Sequence, residues 1–379
     1  MATLTKLFPA GSGRGAFLVR FTLAAATLLL VAPALLNDFR LNLLARYLCL
    51  AIIAVGIGLA WGQGGMLVLG QGLFFGLGGY AMGMHMKLEE AAGLSSGPQL
   101  PDFMTWSGVE SLPWLWVPFR SAAFVIVACI AVPMIVAAVL GTLIFRQRVR
   151  GAYFAILSQA MAAAFVIVLI GQQGLTGGTN GLTNFKTFFG LELTNPEDKR
   201  LLYLFVAVVF LAVFLIARQL VRSRYGKVLV ACRDAEDRVR FLGYDPTRVK
   251  VLAYAGAAGM AGLAGALYVP IVGIMSPALL GIVPSIEMVI WVALGGRTVL
   301  AWAAAGAIIV SWARTDLSER FPSGWLYAQG ALFIIVIAFA PKGLAGVSEG
   351  LQRWVRALLS RRRAGTPAEA AAERVEVAA

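Results

Sequence analysis

Val221–Lys250 reads VRSRYGKVLVACRDAEDRVRFLGYDPTRVK, a polar, basic island between two long apolar blocks. Its bases are Arg222, Arg224, Lys227, Arg233, Arg238, Arg240, Arg248 and Lys250; its acids are Asp234, Glu236, Asp237 and Asp245. Apolar residues recur at Val228, Cys232, Ala235, Val239 and Leu242, a spacing that puts them on one helical face. Asp234 is placed to N-cap a second short helix, with Asp237 three residues on. Gly243 suits the helix end, and Asp245-Pro246 suits the next start as N-cap and N1. The stretch therefore reads as one or two short amphipathic helices held outside a bilayer. Two roles fit it: a solvated loop that only orients the protein, or a docking element for a soluble partner.

The surrounding sequence supplies the bilayer. Of 379 residues, 59% are hydrophobic and 13% charged, which describes a polytopic membrane protein rather than a soluble domain. The net charge of +13 collects in a few loops. In such a chain that excess reports topology and contact with lipid headgroups, and no aromatic-interleaved basic patch points to nucleic acid. Cys49, Cys129 and Cys232 have no metal or disulfide spacing, and His85 is the sole histidine. No metal site or bound cofactor is expected on this chain. His85 reads as an interfacial side chain.

A first apolar run, Phe21–Leu36, follows Lys6, Arg14 and Arg20 and reads as an uncleaved first span. Further blocks lie near Leu43–Trp61, Met66–Met86, Ala122–Phe145, Ala152–Ile170, Leu201–Ala217, Val251–Ile274, Ile286–Leu294, Leu300–Trp312 and Leu326–Ala340. The fold class expected is all-α, a membrane bundle of about ten crossings at ~20 residues each. With ten, Arg146–Arg150, the basic island, Arg297 and the arginines after Lys342 all fall on the side of the N-terminus. The opposite side receives 87–120, 172–200 and 314–324, which are acidic or balanced. The basic-loop rule then makes both termini cytoplasmic. The domain plan is a cytoplasmic segment 1–20, a membrane domain 21–346 that includes the loop 218–250, and a disordered cytoplasmic tail 347–379. Arg46 and Arg20 are placed to snorkel from span ends.

Within the membrane blocks, Gly64–Tyr80 is dense in glycine, and Gly256, Gly259, Gly262 and Gly265 form a second run. Both read as close helix packing. No Walker lysine follows, so nucleotide binding is not indicated. Gln71 breaks the pattern as a candidate on a transport path, and Gln159 is a second. Gly171–Thr183 interleaves glycine with hydroxyl and amide groups, offering Thr176, Thr179 and Asn180 either as a flexible outer loop or as a gate. Glu287, just after Pro284, is an ionisable group beside a membrane block; such groups are functional candidates unless they lie shallow.

The ordered motifs carry a resemblance. They are LGQGLFFGLGGYA within Gly64–Ala81, followed by Met82, RGAYFAILSQA from Arg150, LTGGTNGLT over Leu175–Thr183, and AGLAGALY over Ala261–Tyr268. EMVIWVALGGR over Glu287–Arg297, Phe321-Pro322, Trp325 and Pro341–Leu344 complete the order. The chain resembles membrane subunits of bacterial ABC importers in the branched-chain amino acid permease family, most closely the second permease of urea importers. That resemblance implies a second, similar permease, two cytoplasmic ATPase subunits that carry ATP and Mg, and an extracytoplasmic binding protein. It implies an inner-membrane location. It also implies ATPase coupling through Arg224, Tyr225, Gly226, Arg233, Asp234, Glu236, Asp237, Arg238, Leu242 and Gly243. Two departures stand out: Thr298 and Trp302 occupy positions where relatives often have glycine, and Gln71 stands where relatives often have histidine.

Import of urea or a related small amide is the first functional expectation, with branched-chain or other amino acids as the alternative. A secondary transporter or channel would show several membrane carboxylates, and Glu287 is nearly alone. A membrane enzyme has little support, because no nucleophile or metal constellation is present in the sequence.

Overall fold

The computed structural model describes residues 14–93, 99–149 and 151–321, with scattered positions between 324 and 346. Ten principal helices organise it. They are α1 (Arg14–Ala26), continued by a π turn and Ala32–Leu35, then α2 (Asp38–Ile57), α3 (Gln71–Ala92), α4 (Ala122–Arg146) and α5 (Ala152–Gly171). After these come α6 (Pro196–Arg222), α7 (Arg224–Phe241), α8 (Pro246–Val272), α9 (Ile282–Gly295) and α10 (Leu300–Arg320). Among the described residues, seven segments are long and apolar enough to cross a membrane: Phe17–Leu35, Asp38–Gln63, Ala122–Arg146, Ala152–Gly171, Pro196–Arg222, Pro246–Val272 and Pro277–Gly295. This is the helical membrane bundle that the composition implied. The last expected block, Leu326–Ala340, and the tail 347–379 lie outside the described residues.

Helix α8 is the hub and packs on α4, α3 and α2, while α2 packs also on α6 and α10. Glycine makes the hub possible. A Cβ on Gly78 of α3 would stand 2.0 Å from the Gly262 carbonyl oxygen of α8, and one on Gly265 would stand 2.0 Å from that of Phe75. Without hydrophobic drive between lipid-solvated helices, such backbone contact is what holds them. Tyr254, Phe74, Phe145 and Phe154 meet edge to face or tilted around α8. Gly256 is the exception in its run: nothing lies closer than 3.9 Å to a Cβ there.

Three block boundaries shift inward or outward at one or both ends, those of Met66–Met86, Ile286–Leu294 and Leu300–Trp312. Residues 65–70 are not helical; α3 begins at Gln71 and runs to Ala92, past the expected end at Met86. A π segment, Gly58–Gln63, ends the preceding crossing. His85 consequently lies inside α3, 5% exposed, with Nδ1 2.8 Å from the Phe119 carbonyl oxygen. Helix α9 starts at Ile282, four residues before the expected block, and a short 3-10 turn, Pro277–Leu279, leads into it. Helix α10 continues to Arg320, so Arg314, expected in a loop, belongs to a helix.

Candidate functional site

The basic island folds largely as its residues dictate. Ser223 caps α7 by accepting from the Gly226 N–H at 3.3 Å. Gly243, at φ +85°, ends it, with Gly243 N–H on Arg240 O and Tyr244 N–H on Val239 O. Asp245 then caps α8 by accepting from Thr247 N–H at 2.9 Å, with Pro246 in the first turn. The interior departs from expectation. Ala235 is non-helical (φ −153°, ψ 72°) and kinks α7. Asp234 does not cap a second helix; its carboxylate takes Arg233 Nε at 2.8 Å instead. The kink resets the helical phase, so Cys232 and Val239 are buried while Leu242 is 76% exposed.

Three bonds tie α7 to the membrane helices. Arg233 Nη1 donates to the Gly62 carbonyl at 2.6 Å, reaching the π segment. Tyr225 hydroxyl donates to Val249 O at 2.8 Å, and Lys250 Nζ lies 2.5 Å from Glu236 Oε2. Burial pushes the Tyr225 phenol up, and burial also pushes the Cys232 thiol up, with Lys250 pulling the other way. The hydrogen bond from Arg233 holds the Asp234 carboxyl below its ordinary value. Asp237 and Arg238 line a cavity of about 440 Å³ beneath the kink, shared with Gly65, Phe145 and Phe154. Arg224 is exposed, and Gly226 is buried against the Val221 carbonyl, 2.1 Å from where its Cβ would be. The residues expected to couple lie along α7 and its C-terminal turn on both sides of the kink, and Glu236 is held by Lys250 rather than presented outward. Phe241 and Tyr244, 92% and 55% exposed, flank Leu242 and Gly243 at the end of α7, and the sequence reading does not single them out.

The candidate path residues converge only in part: the stretch before Gln71 packs on the one before Gln159, with Leu69 N–H on Ser158 Oγ at 3.1 Å and a Cβ on Gly70 only 1.9 Å from the Ser158 carbonyl oxygen. Gln71 is fully buried at the start of α3 and donates to Ala257 O at 2.9 Å; its Oε1 has no partner among the described residues. Gln159 on α5 has both amide atoms buried, without a hydrogen-bond partner among the described residues. Thr176 is structural: its hydroxyl donates to Leu169 O at 2.6 Å and closes α5. Thr179 and Asn180 are exposed at the loop tip, which Leu182–Thr183 fixes by antiparallel pairing with Ile274–Met275. Glu287 is buried and pairs with Arg314. Arg46 does not snorkel from a span end. It lies about 12 Å into α2 at 1.5 Å per residue, with its guanidinium carbon 5.8 Å from the Tyr268 ring centre. Thr298 and Trp302 are accommodated because backbone makes the contacts there: Gln63 Nε2 donates to Thr298 O, and Gly295 packs against Trp302 O.

Residues 39–339 match the family described as "Branched-chain amino acid transport system / permease component". The chain belongs to that permease family. It is 26% identical over 347 residues to the high-affinity branched-chain amino acid transport system permease protein LivM of Salmonella typhimurium, covering 86% of this chain and 74% of that one. The Escherichia coli LivM is 25% identical over 350 residues, with the same coverages. No solved structure matches the chain. The family places this permease in the inner membrane as a multi-pass transport component. These similarities favour the amino-acid alternative over the urea expectation.

Proposed function

We propose that this chain is one of two permeases in an ATP-driven importer of branched-chain or closely related amino acids. The observation that carries this reading is the permease-family match over 39–339, which takes in both the membrane bundle and α7. The α7 face is cytoplasmic in this reading. There the exposed Phe241, Leu242 and Tyr244 present apolar contact to an ATPase subunit. Closure of the ATPases shifts α7, and the bonds at Gly62, Val249 and Lys250 pass that shift to α2 and α8. The chain supplies a path, while ATP and Mg stay on the ATPases and a binding protein delivers the solute.

The test is uptake at low external concentration in a host whose other amino-acid and urea importers are removed. Deletion of this gene is expected to abolish leucine, isoleucine or valine uptake and leave urea uptake unchanged. Loss of urea uptake alone would overturn the substrate class. Uptake driven by an ion gradient, without ATP hydrolysis, would overturn the machinery.

A further inference from the structure

A second cavity, of about 310 Å³, lies among α2, α8, α9 and α10, away from α7. Three charged side chains line it, one from each of three helices: Arg46, Glu287 and Arg314. Glu287 is 7% exposed and pairs with Arg314. Arg46 Nε is buried and has no hydrogen-bond partner among the described residues, and neither has Trp291 Nε1. Phe75, Tyr268, Met288 and Trp291 make the remaining wall aromatic and apolar. The cavity reaches the surface of the chain beside Ala278 and Val283, which are exposed and lead into α9.

A buried ion pair is weak as a source of stability, because desolvation offsets most of its attraction. A pair that served only folding would need neither a third charge nor an adjoining chamber. The chamber is at the lower end of the volumes that hold small molecules, roughly 300–1,000 Å³. It offers two guanidinium groups, one carboxylate and an aromatic wall. A free α-amino acid offers the complement: one carboxylate, one ammonium and a side chain. Guanidinium groups grip carboxylates through paired N–H donors. A carboxylate has about four acceptor sites, so Glu287 can keep the partners it already has, Arg314 among them, and also accept an ammonium. A neutral amide would use neither sign of charge.

We propose that the Arg46–Glu287–Arg314 cavity is a binding station for the zwitterion of an apolar α-amino acid, its carboxylate at Arg46 and Arg314 and its ammonium at Glu287. This rests on the amino-acid reading above. The test is photolabelling of membranes that hold the tagged chain with its co-expressed partners, using a diazirine analogue of leucine. Label is expected on cavity residues such as Met288 or Tyr268. Leucine should compete for it, whereas isoamylamine, 4-methylpentanoate and urea should not. Arg46→Met should lower the label at least tenfold. Glu287→Met with Arg314→Met, which removes the pair at similar volume, should keep the folded yield and still lose the label. Wild-type labelling in either variant, equal competition by the amine or the acid, or label only elsewhere while the cells import leucine would overturn the station. Cells that import urea and no leucine would instead overturn the reading beneath it.

Discussion

Arg233 shows how much one side chain can hold. It bonds Asp234 in its own helix and the Gly62 carbonyl in the π segment, so α7 and α2 share one anchor. A hydrogen bond to a charged, partly exposed group contributes about 1 kcal/mol. Cys232 beside it reports on that anchor. The thiol is 2% exposed and its pKa is raised chiefly by burial. A raised pKa means less thiolate at neutral pH, so maleimide labelling is expected to be slow at pH 7 and to keep rising with pH beyond the range of a free cysteine. Arg233→Ala should speed labelling about fivefold, the factor that ~1 kcal/mol gives, by letting the segment open. Equal rates in both proteins would show that Arg233 holds nothing. None of this was readable from spacing: Arg233 and Gly62 lie far apart in the chain, and periodicity reports only neighbours on one element.

At the scale of the element, the sequence marked α7 well at its ends and poorly within. Gly243, Asp245 and Pro246 act through local backbone geometry, which is why their roles were legible. The kink at Ala235 was not, because it follows from tertiary bonds: Arg233 pulls one half toward Gly62 and Glu236 pulls the other toward Lys250. The partition makes opposite predictions for two substitutions. Leu242→Glu changes an exposed residue, so the chain should insert and fold as before while ATPase stimulation by the loaded binding protein falls severalfold. Glu236→Arg sets a cation against Lys250 and Arg240, whose nitrogens lie 2.5 and 3.6 Å from its carboxylate. It should lower folded yield as well as coupling. Full stimulation in Leu242→Glu, checked on reconstituted protein, would remove the docking face from α7. The glycine runs were legible for a different reason: in lipid, glycines recurring every three or four residues along a helix favour close packing, and the contact of Gly78 with Gly262 is an instance.

Across the whole molecule, the face opposite α7 is closed by charge. Lys87, 3% exposed, reaches Asp102 at 3.1 Å, Glu90 at 3.4 Å and the Asn184 carbonyl at 3.1 Å. One ammonium thus joins α3 to two separate loops. The sequence showed these residues as a balanced loop, and only the fold shows that they meet. Lys186 adds a second, exposed contact to Glu90 at 3.0 Å, and that hydrogen bond raises the Lys186 pKa. With a raised pKa, its contribution is fully present below the ordinary lysine value and fades only as pH climbs through the raised one, so acidification to pH 5 should leave it intact. The two lysines should nevertheless differ sharply when removed. Lys87→Met removes the buried ammonium that joins Asp102, Glu90 and the Asn184 carbonyl and should cost about 2–3 kcal/mol, less than a fully buried pair because Asp102 is partly exposed. Lys186→Ala removes an exposed pair whose attraction water screens, and should leave the melting temperature nearly unchanged. Thermal unfolding of the purified complex, monitored in parallel for the two variants, compares them directly. If Lys87→Met melts with the wild type, the charged corner does not hold the outer loops. In that case Leu182–Thr183 on Ile274–Met275 and the Trp116 Nε1 bond to Leu175 O are left to fix them.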